Sequence, residues 1–452
     1  METRDVVRQA IEAGVQLVFF LYCDNGGIIR GKGTHVARLE QRLRTGIGLT
    51  VAMQAMSDMD QLQAVPGMGP VGEVRLVPDP QTFTVLPYAP KRAVMLADLL
   101  TLQGEPWGAC PRSFLKRMVQ KAAAQGLRLR AAFEPEWTLA RRRDDGTVVP
   151  IDDSLCFSSV GMTAAQEVVD AIVAALEAQG LEVEQYYPEL GHGQQELSIR
   201  FADALRAADN QILYRETVRN VAWQHGYLAS FAPKPFADQA GNGCHLHFSL
   251  WDLAGERNLF YDPEDPLQLS QTAYHFLAGV LAHLPALVAL TCPSVNSYRR
   301  LGPRTWSSAF VCYGPDNREA ALRIASPFWG QEMASLNLEL KPADATANPY
   351  LALGGLLAAG LDGLARGLQP AEGQRVDVDP ATLPPEELAR RGIRRLPASL
   401  PEAIAALESD ATLLEALGPA LATSYLAVRR GDAALFASHD EAFELRHHFY
   451  KY

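Results

Sequence analysis

Alternation of apolar and polar positions divides the chain into two parts. An apolar, aromatic run over 15–23 is followed by the turn residues 24–27 and by a second extended run over 28–33. This pattern predicts a β-hairpin with a glycine turn. Residues 36–45 have the apolar spacing of a helix, strands are predicted near 72–77 and 82–86, and six prolines interrupt residues 66–90. We therefore expect a small α+β domain over residues 1–105.

Longer periodic segments follow residue 105. Helical spacing predicts helices over 111–125, 163–179, 203–225 and 268–290, the last interrupted by Pro285. Strands are predicted over 127–141, 228–231, 244–251, 307–313 and 335–341. From residue 349 onward the pattern is almost entirely helical. The expected fold class is α+β, with residues 106–452 forming a sheet backed by helices.

Composition narrows the class of protein. The chain is 48% hydrophobic and 21% charged, which is typical of a globular protein, and its net charge of −11 argues against a general nucleic-acid binder. Six cysteines without a CxxC pair, and an N-terminus without a signal-peptide pattern, fit a reducing cytoplasm. The apolar runs 273–292 and 349–364 contain histidine, proline, aspartate or glycine and lack basic flanks, so we expect buried helices and no membrane span.

Two glutamates lie close together in the apolar segment Phe-Glu-Pro-Glu-Trp at 133–137. In an extended strand Glu134 and Glu136 point to the same face. Two carboxylates side by side on a half-buried face repel each other unless they share a proton or bind a cation. The alternative is an exposed edge strand with two solvated glutamates, with which Pro135 is compatible.

Further groups of this kind follow along the chain. Glu189 and Glu196 flank a glycine-containing loop, so both could reach one cation, although a solvated loop explains them equally well. His245 and His247 share one strand face after two glycines, and such a pair binds metal, contacts phosphate or is satisfied in the core. Lys234, just upstream, is either a phosphate contact or a surface lysine.

A cationic region in this acidic chain completes the set. Arginines cluster over 299–304 and 318–323, and Glu339 and Lys341 share a strand face. Arginine is suited to a bidentate grip on carboxylate or phosphate, although surface salt bridges would also explain any single one. Oxygen ligands, few histidines and clustered arginines together indicate hard divalent cations that hold a polyphosphate, and thus phosphoryl transfer.

The order and spacing of these segments resemble the glutamine synthetase superfamily. The segments that carry the likeness are FEPEW, KPF…GNGCHLHFSL, NSYRRLGP, DNREAALRI and LELKPADATANPYL. The resemblance implies a β-grasp-like N-terminal domain and a catalytic domain with a curved antiparallel sheet. It also implies a homo-oligomer of stacked rings, usually a dodecamer, with active sites between neighbouring subunits.

The resemblance also implies roles for individual residues, with ATP and two to three Mg²⁺ or Mn²⁺ ions as cofactors. One metal site resembles Glu136, Glu189 and Glu196, and the second resembles Glu134, His245 and Glu339. The expected nucleotide contacts are His247, Lys234, Ser249 and Arg323. The expected contacts to glutamate and to the transferred phosphate are Gly241, Arg300, Arg318 and Lys341.

At several positions this sequence differs from the family motifs, and these differences bear on which substrate is bound. Trp306 stands where ammonia-using members carry a flap glutamate, and a tryptophan can line an apolar pocket but cannot accept a proton. The family's DGSS segment is missing, with Asp58 and Asp60 as the nearest candidates for its ammonium-binding aspartate. Lys341 replaces the usual arginine and Ala240 an asparagine, so the acid could be a glutamate analogue. The adenylylation tyrosine would fall near Ala381, so that regulation is not expected.

The preferred hypothesis is therefore a γ-glutamylamide synthetase, which activates the γ-carboxylate of glutamate with ATP and transfers it to a primary amine. Relatives of this kind use methylamine, isopropylamine, polyamines or aniline. Three alternatives stay open: a glutamine synthetase that uses ammonium, a metal-dependent amidohydrolase built on His245 and His247, and a non-catalytic structural descendant.

Overall fold

The computed structural model describes residues 3–452 and begins with a mixed sheet. The elements of this first part are α1 Thr3–Glu12, β1 Leu17–Cys23, β2 Ile29–His35, α2 Leu39–Thr45, β3 Ile47–Thr50, β4 Glu73–Pro78, β5 Thr84–Val85 and β6 Arg92–Leu100. The strand order is β2-β1-β6-β4-β3, and β5 pairs with β6. The predicted hairpin is confirmed, since β1 and β2 pair antiparallel from Leu17 opposite His35 to Cys23 opposite Ile29.

The turn of this hairpin docks on the second part of the chain. Gly27 has φ +78°, and a Cβ there would lie 1.9 Å from the carbonyl oxygen of Thr346, so only glycine fits. The guanidinium of Arg215 donates to the Gly27 carbonyl, and the Tyr452 hydroxyl donates to the Gly26 carbonyl at 2.5 Å. These contacts bind the first sheet to the body of the protein.

The second part begins at Pro111. Its strands are β7 Leu127–Arg142, β8 Val148–Pro150, β9 Val183–Pro188, β10 Gln194–Ile199, β11 Ala202–Asp203, β12 Leu228–Ser230, β13 Cys244–Asp252, β14 Tyr313–Pro315, β15 Leu322–Ala325 and β16 Asn337–Leu340. Its helices are α3 Pro111–Ala123, α4 Ser159–Ala164, α5 Gln166–Ala178, α6 Ala204–Gln224, α7 Gln271–Thr291, α8 Ser297–Arg300, α9 Glu332–Ser335, α10 Pro349–Arg366, α11 Pro385–Arg391, α12 Leu400–Glu408, α13 Ala411–Leu417, α14 Pro419–Ala437 and α15 Glu441–Lys451.

The larger sheet is organised around β7, its longest strand. The order is β14-β15-β16-β13-β7-β10-β9, and β8, β11 and β12 also pair with β7. Pairing along this path is antiparallel except between β14 and β15 at the edge. The structure confirms the predicted α+β class and the antiparallel character of the catalytic sheet. Because β7 pairs on both sides, Glu134 and Glu136 belong to a central strand, which excludes the edge-strand alternative.

The two apolar runs form buried helices, as expected. The helix α7 is apolar and long enough to cross a membrane, but it is mostly buried and packs against α10 and α12. Gly279 of α7 and Gly363 of α10 face each other, and a Cβ on either glycine would lie 2.7 Å from the backbone of the other. This close helix packing identifies α7 as a core helix.

Two sequence predictions were wrong in this region. Pro285 does not interrupt α7, which continues from Gln271 to Thr291, because its packing against α10 and α12 outweighs the cost of a proline inside a helix. The predicted strand 307–313 is also absent from the described chain, where β14 starts only at Tyr313. Positive φ angles at Arg304, Trp306 and Ser308 are incompatible with a regular strand.

Candidate active site

A cavity of about 470 Å³ opens over the large sheet. One part of its lining is acidic, with Glu134, Glu136, Glu189, Glu196 and Glu339. The other part is cationic, with Lys234, Arg299, Arg300, Arg304, Arg318, Arg323 and Lys341. Groups of both signs that lie far apart along the chain therefore face one space, as the sequence motifs predicted.

Strand register explains why the acidic residues meet. In the β7–β13 pair Glu134 lies opposite His245, and in the β7–β10 pair Glu136 lies opposite Glu196. Since side chains of directly paired residues point to the same face of a sheet, these four project together. The β13–β16 pair adds Glu339 opposite His247.

The histidines lie within hydrogen-bond range of the carboxylates. The Glu134 Oε2 atom is 3.4 Å from Nδ1 of His245 and 3.2 Å from Nε2 of His247. The Glu339 Oε1 atom lies 3.3 Å from His245 Nδ1. Ligand atoms of Glu134, His247 and Glu339 all fall within 4.8 Å of one another, so His247 is as close to the acidic cluster as the predicted ligand His245.

Backbone and amide donors fix the orientation of Glu136. Its Oε2 atom accepts from the Gly243 backbone amide at 2.9 Å and from Gln194 Nε2 at 2.7 Å. The Gln194 amide also donates to the carbonyl of Gly241 at 2.9 Å, which links the carboxylate to the predicted glutamate-binding loop. On the neighbouring strand, the Tyr187 hydroxyl donates to Glu196.

Burial and mutual repulsion separate the pKa values of the carboxyls. Burial, together with Glu136, raises the pKa of Glu189 to about 7. Burial, followed by Glu134 and Glu136, raises the pKa of Glu196 well above its usual range. Glu134 and Glu339 behave in the opposite way: burial would raise their pKa values, but neighbouring cations lower them, mainly His247 for Glu134 and Lys341 for Glu339.

This donor set fits hard divalent cations. Five carboxylates and a histidine offer oxygen-rich coordination, and burial together with neighbouring carboxylates raises the pKa values of Glu189 and Glu196. A bound divalent cation would compensate their repulsion better than shared protons. The chemistry of the residues therefore agrees with the predicted metal sites.

Cationic groups line the opposite part of the cavity. The Arg300 guanidinium donates to the Ala343 carbonyl at 3.1 Å and lies 3.1 Å from His245 Nε2. The ammonium group of Lys341 donates to Glu339 at 3.1 Å, and Arg323 donates to the other oxygen of that carboxylate at 2.6 Å. Arg318 is exposed to solvent at the cavity. Burial together with Lys341 lowers the pKa of His245, which leaves this ring neutral.

Two predicted nucleotide contacts lie outside the cavity lining. His247 is oriented by Asn337, whose Oδ1 lies 2.8 Å from its Nδ1, and the Glu134 carboxylate raises its pKa to about 9 against the effect of burial. Ser249 is buried and accepts a hydrogen bond from the indole of Trp251 at 2.9 Å. Lys234, by contrast, lines the cavity and donates to the Gln239 carbonyl. The nucleotide-binding roles of these residues remain predictions.

Three aromatic side chains and a leucine form a further part of the cavity lining. Trp306, Phe157, Tyr187 and Leu190 all line the cavity, and Trp306 is 55% exposed. The rings of Phe157 and Tyr187 pack edge to face with centroids 5.0 Å apart, and Phe157 has φ +58°. This wall adjoins Glu189 and would suit the carbon substituent of an amine.

Several of these residues carry no functional signal in the sequence. Gln194 contacts Glu136 through the β7–β10 pairing, and Tyr187 contacts Glu196 through the β9–β10 pairing, so both contacts appear only in the fold. Phe157 lies in a segment without a periodic pattern, so no sequence signal indicated that it lines the cavity.

The two aspartates considered for the missing DGSS segment differ in exposure. Asp58 is 3% exposed and lies in the polar core near Arg429 and Asp432. The side chain of Asp60 is 66% exposed, with its carboxylate 2.7 Å from the guanidinium of Arg30. Of these two aspartates, only Asp60 is therefore at the surface.

Two family models together match residues 1–448 of the chain. Residues 1–107 match the glutamine synthetase N-terminal domain, and residues 108–448 match the glutamine synthetase catalytic domain.

Individual proteins give the same result. The chain is 40% identical over 423 residues to a gamma-glutamylpolyamine synthetase of Streptomyces coelicolor, covering 93% of this chain and 90% of that protein. It is 36% identical over 373 residues to a glutamate–methylamine ligase of Methyloversatilis universalis, covering 79% and 81%. A solved GmaS/ADP complex superimposes with a TM-score of 0.85 at 32% identity, covering 98% of both chains.

Proposed function

The chain belongs to the glutamine synthetase family of ATP-dependent ligases, and from that premise we propose that it joins the γ-carboxylate of glutamate to a primary amine through a γ-glutamyl phosphate. One observation supports an amine over ammonium as the acceptor. Trp306 stands at the position where ammonia-using members carry the flap glutamate, and it lines the cavity together with Phe157, Tyr187 and Leu190. An apolar wall gains free energy from a carbon substituent and offers ammonium nothing. The polyamine synthetase and methylamine ligase among its relatives support this choice.

Metal ions would be held by the acidic part of the cavity. Glu136, Glu189 and Glu196 would form one site, and Glu134, Glu339 and a histidine of β13 the other. When bound, such ions neutralise the charge of a polyphosphate and orient its terminal phosphate. The choice between His245 and His247 as ligand is part of the proposal, since both rings lie within 3.4 Å of Glu134.

The cationic part of the cavity would bind the two anionic reactants. Arg300 and Lys341 are buried and fixed by hydrogen bonds, so they are suited to orient the carboxylates of glutamate beside Gly241. Arg318 and Arg323 line the same space and would stabilise the charge on the phosphate as it moves to the γ-carboxylate. The resulting acyl phosphate is an electrophile that an amine attacks, with phosphate as the leaving group.

Ammonium is the second candidate acceptor, because its transfer to the γ-carboxylate of glutamate gives glutamine, the product after which the family is named. Trp306 argues against ammonium as the acceptor, since a tryptophan cannot accept the proton that the attacking nitrogen loses. A metal-dependent amidohydrolase leaves the arginine side of the cavity without a role. A non-catalytic descendant fails to explain why all six predicted metal ligands converge.

We also propose a cytoplasmic ring assembly in which a neighbouring subunit completes the site. Asp60 is the exposed one of the two candidate aspartates, so we propose that it reaches the active site of a neighbouring subunit across such an interface.

A panel of acceptors tests the proposal. ADP release would be measured with ATP, glutamate, Mg²⁺ and one acceptor at a time (ammonium, an alkylamine, a polyamine or aniline), and the γ-glutamylamide would be identified by mass spectrometry. We expect kcat/KM for at least one carbon-substituted amine to exceed that for ammonium by tenfold or more. Ammonium as the best acceptor would refute the choice, and amide hydrolysis without ATP would favour the amidohydrolase.

A further inference from the structure

The segment 303–308, here called the flap, has an unusual backbone. Arg304, Trp306 and Ser308 have φ angles of 62°, 56° and 68°. Left-handed conformations of non-glycine residues cost free energy and persist only where the surroundings fix them. Three such residues at alternating positions therefore require anchors outside the flap.

One buried residue supplies the anchor for all three. Glu319 accepts the backbone amide of Trp306 at Oε1 (2.7 Å) and that of Arg304 at Oε2 (3.3 Å). Its backbone carbonyl accepts the Ser308 hydroxyl at 2.9 Å. The residues between them bind elsewhere, since Thr305 and Ser307 both donate to the carbonyl of Arg300, at 3.1 and 3.0 Å.

These contacts fix the backbone from which the flap side chains reach the cavity. Arg304, Thr305 and Trp306 line it, whereas Glu319 does not, at 8% exposure beneath the flap. The Glu319 backbone is itself fixed, because its amide donates to Asn317 Oδ1 at 3.0 Å. Both carboxylate oxygens are occupied by backbone donors, so Glu319 holds the shape of the flap and does not contact a substrate.

We propose that Glu319 is a positioning residue that sets amine selectivity by holding Trp306 in the cavity wall, an inference that rests on the proposed function. A carboxylate is required because two amides converge on it, and charged acceptors bind amides more strongly than neutral ones. Glutamine at this position can accept only one of the two amides and would place its own N–H groups against the other. The left-handed residues would then relax, and the indole would leave the wall.

The kinetic test compares Glu319→Gln, Trp306→Ala and the double variant. We expect Glu319→Gln to lower the ratio of kcat/KM for the preferred amine to that for ammonium about tenfold, mainly through KM for the amine, as expected when a hydrogen bond to a charged acceptor is lost. If Glu319 acts through Trp306, adding Glu319→Gln to Trp306→Ala changes this ratio less than twofold. Asp379→Asn is the matched control, because Asp379 lies 3.7 Å from the Arg304 side chain but accepts no flap amide, and it should keep the wild-type ratio.

A second readout does not depend on which acceptor the enzyme uses. The rate of tryptic cleavage after Arg304, followed by mass spectrometry, should rise at least fivefold in Glu319→Gln. Cleavage after Arg143, in the exposed turn between β7 and β8, should keep its rate and serves as the internal reference.

The outcomes separate the two claims. Unchanged cleavage after Arg304 overturns the anchoring role whatever the acceptor, and faster cleavage with an unchanged amine ratio overturns the link to selectivity. A wild-type enzyme that prefers ammonium refutes the proposed function, and the cleavage rates still decide whether Glu319 anchors the flap.

Discussion

Glu136 and Glu196 are direct partners across the antiparallel β7–β10 pair, so two carboxylates project side by side into one cavity. Directly opposed like charges destabilise a sheet. Burial and the neighbouring carboxylates raise the pKa of Glu196 well above its usual range. A pKa shifted in this way is typical of a functional site, and here a bound cation would offset the repulsion.

Glu196→Gln should weaken the response to divalent cations without unfolding the protein, because it removes a ligand from one of the two proposed metal sites. Glutamine can still accept the hydrogen bond from Tyr187, while one of the repelling carboxylates is removed. We expect kcat/KM to fall at least about 100-fold. The Tm without metal should stay equal or rise, whereas the increase in Tm that Mg²⁺ produces should be smaller than in the wild type.

Glu184→Gln is the matched control, because Glu184 is exposed on the adjacent strand β9 and its substitution removes the same charge. A Glu196→Gln variant whose Mg²⁺-dependent rise in Tm is as large as that of the wild type would contradict the metal-binding role.

Gly243→Ala should damage the site more than the fold. A Cβ at this position would lie 2.6 Å from His245 Nε2, 2.7 Å from Arg300 Nη2 and 2.8 Å from Glu136 Oε1. These side chains must move apart, so we expect at least a tenfold loss of kcat/KM with a destabilisation of about 1–3 kcal/mol. Denaturant unfolding and steady-state kinetics measure the two effects.

Gly69→Ala is the control for Gly243→Ala, because a Cβ at Gly69 meets nothing within 4 Å. Equal effects of the two substitutions on activity would argue against the steric explanation.

Trp306→Glu should shift the enzyme toward ammonium. The substitution replaces an apolar cavity wall with a carboxylate that can attract and deprotonate a small cation. We expect the ratio of kcat/KM for ammonium to that for bulky amines to rise about tenfold or more. Trp306→Phe, which keeps an aromatic wall, should leave this ratio within about threefold, and an unchanged ratio in Trp306→Glu would remove Trp306 from the amine pocket.

His283 should stabilise the helical core in a pH-dependent way. Its Nδ1 lies 2.7 Å from Asp410, which caps α13, and its Nε2 lies 3.0 Å from Asp362 of α10. Burial opposes protonation of the ring, but these two hydrogen bonds outweigh it and raise the pKa of His283. His283→Gln should therefore destabilise the protein by about 1–3 kcal/mol near pH 6.

The sign of the pH effect follows from this raised pKa. The contribution of the charged His283 is complete below the unfolded value of about 6.5 and is lost as the pH rises through the higher folded value. Burial would raise the pKa of Asp410, but the hydrogen bond from His283 lowers it, so the contribution of that carboxylate is lost only in acid. The difference in unfolding free energy between wild type and His283→Gln should shrink between pH 6 and pH 9. Arg366→Gln, which removes an exposed partner of Asp362, should cost less than about 0.5 kcal/mol at either pH.

Sequence alone was sufficient for the elements with strong periodicity and for picking out the carboxylates that line the cavity. The hairpin of β1 and β2, the strand β7 and the helix α6 were predicted to within a few residues, because their apolar positions repeat with the period of the structure. Glu134 and Glu136 were found because two carboxylates in an apolar strand are chemically conspicuous. Their local pattern could not distinguish an edge strand from the centre of a sheet.

Tertiary structure decided what depends on strand register and on distant anchors. The pairings of Glu134 with His245 and of Glu136 with Glu196 join segments separated by some 60 to 110 positions, and only the register of β7 with β10 and β13 sets them. The strand predicted over 307–313 overlaps the end of the flap, whose left-handed residues are fixed by Glu319, 11 to 15 positions away. Local residue preferences encode the period of an element, whereas the free energy that selects a register or a strained loop comes from contacts made only in the folded chain.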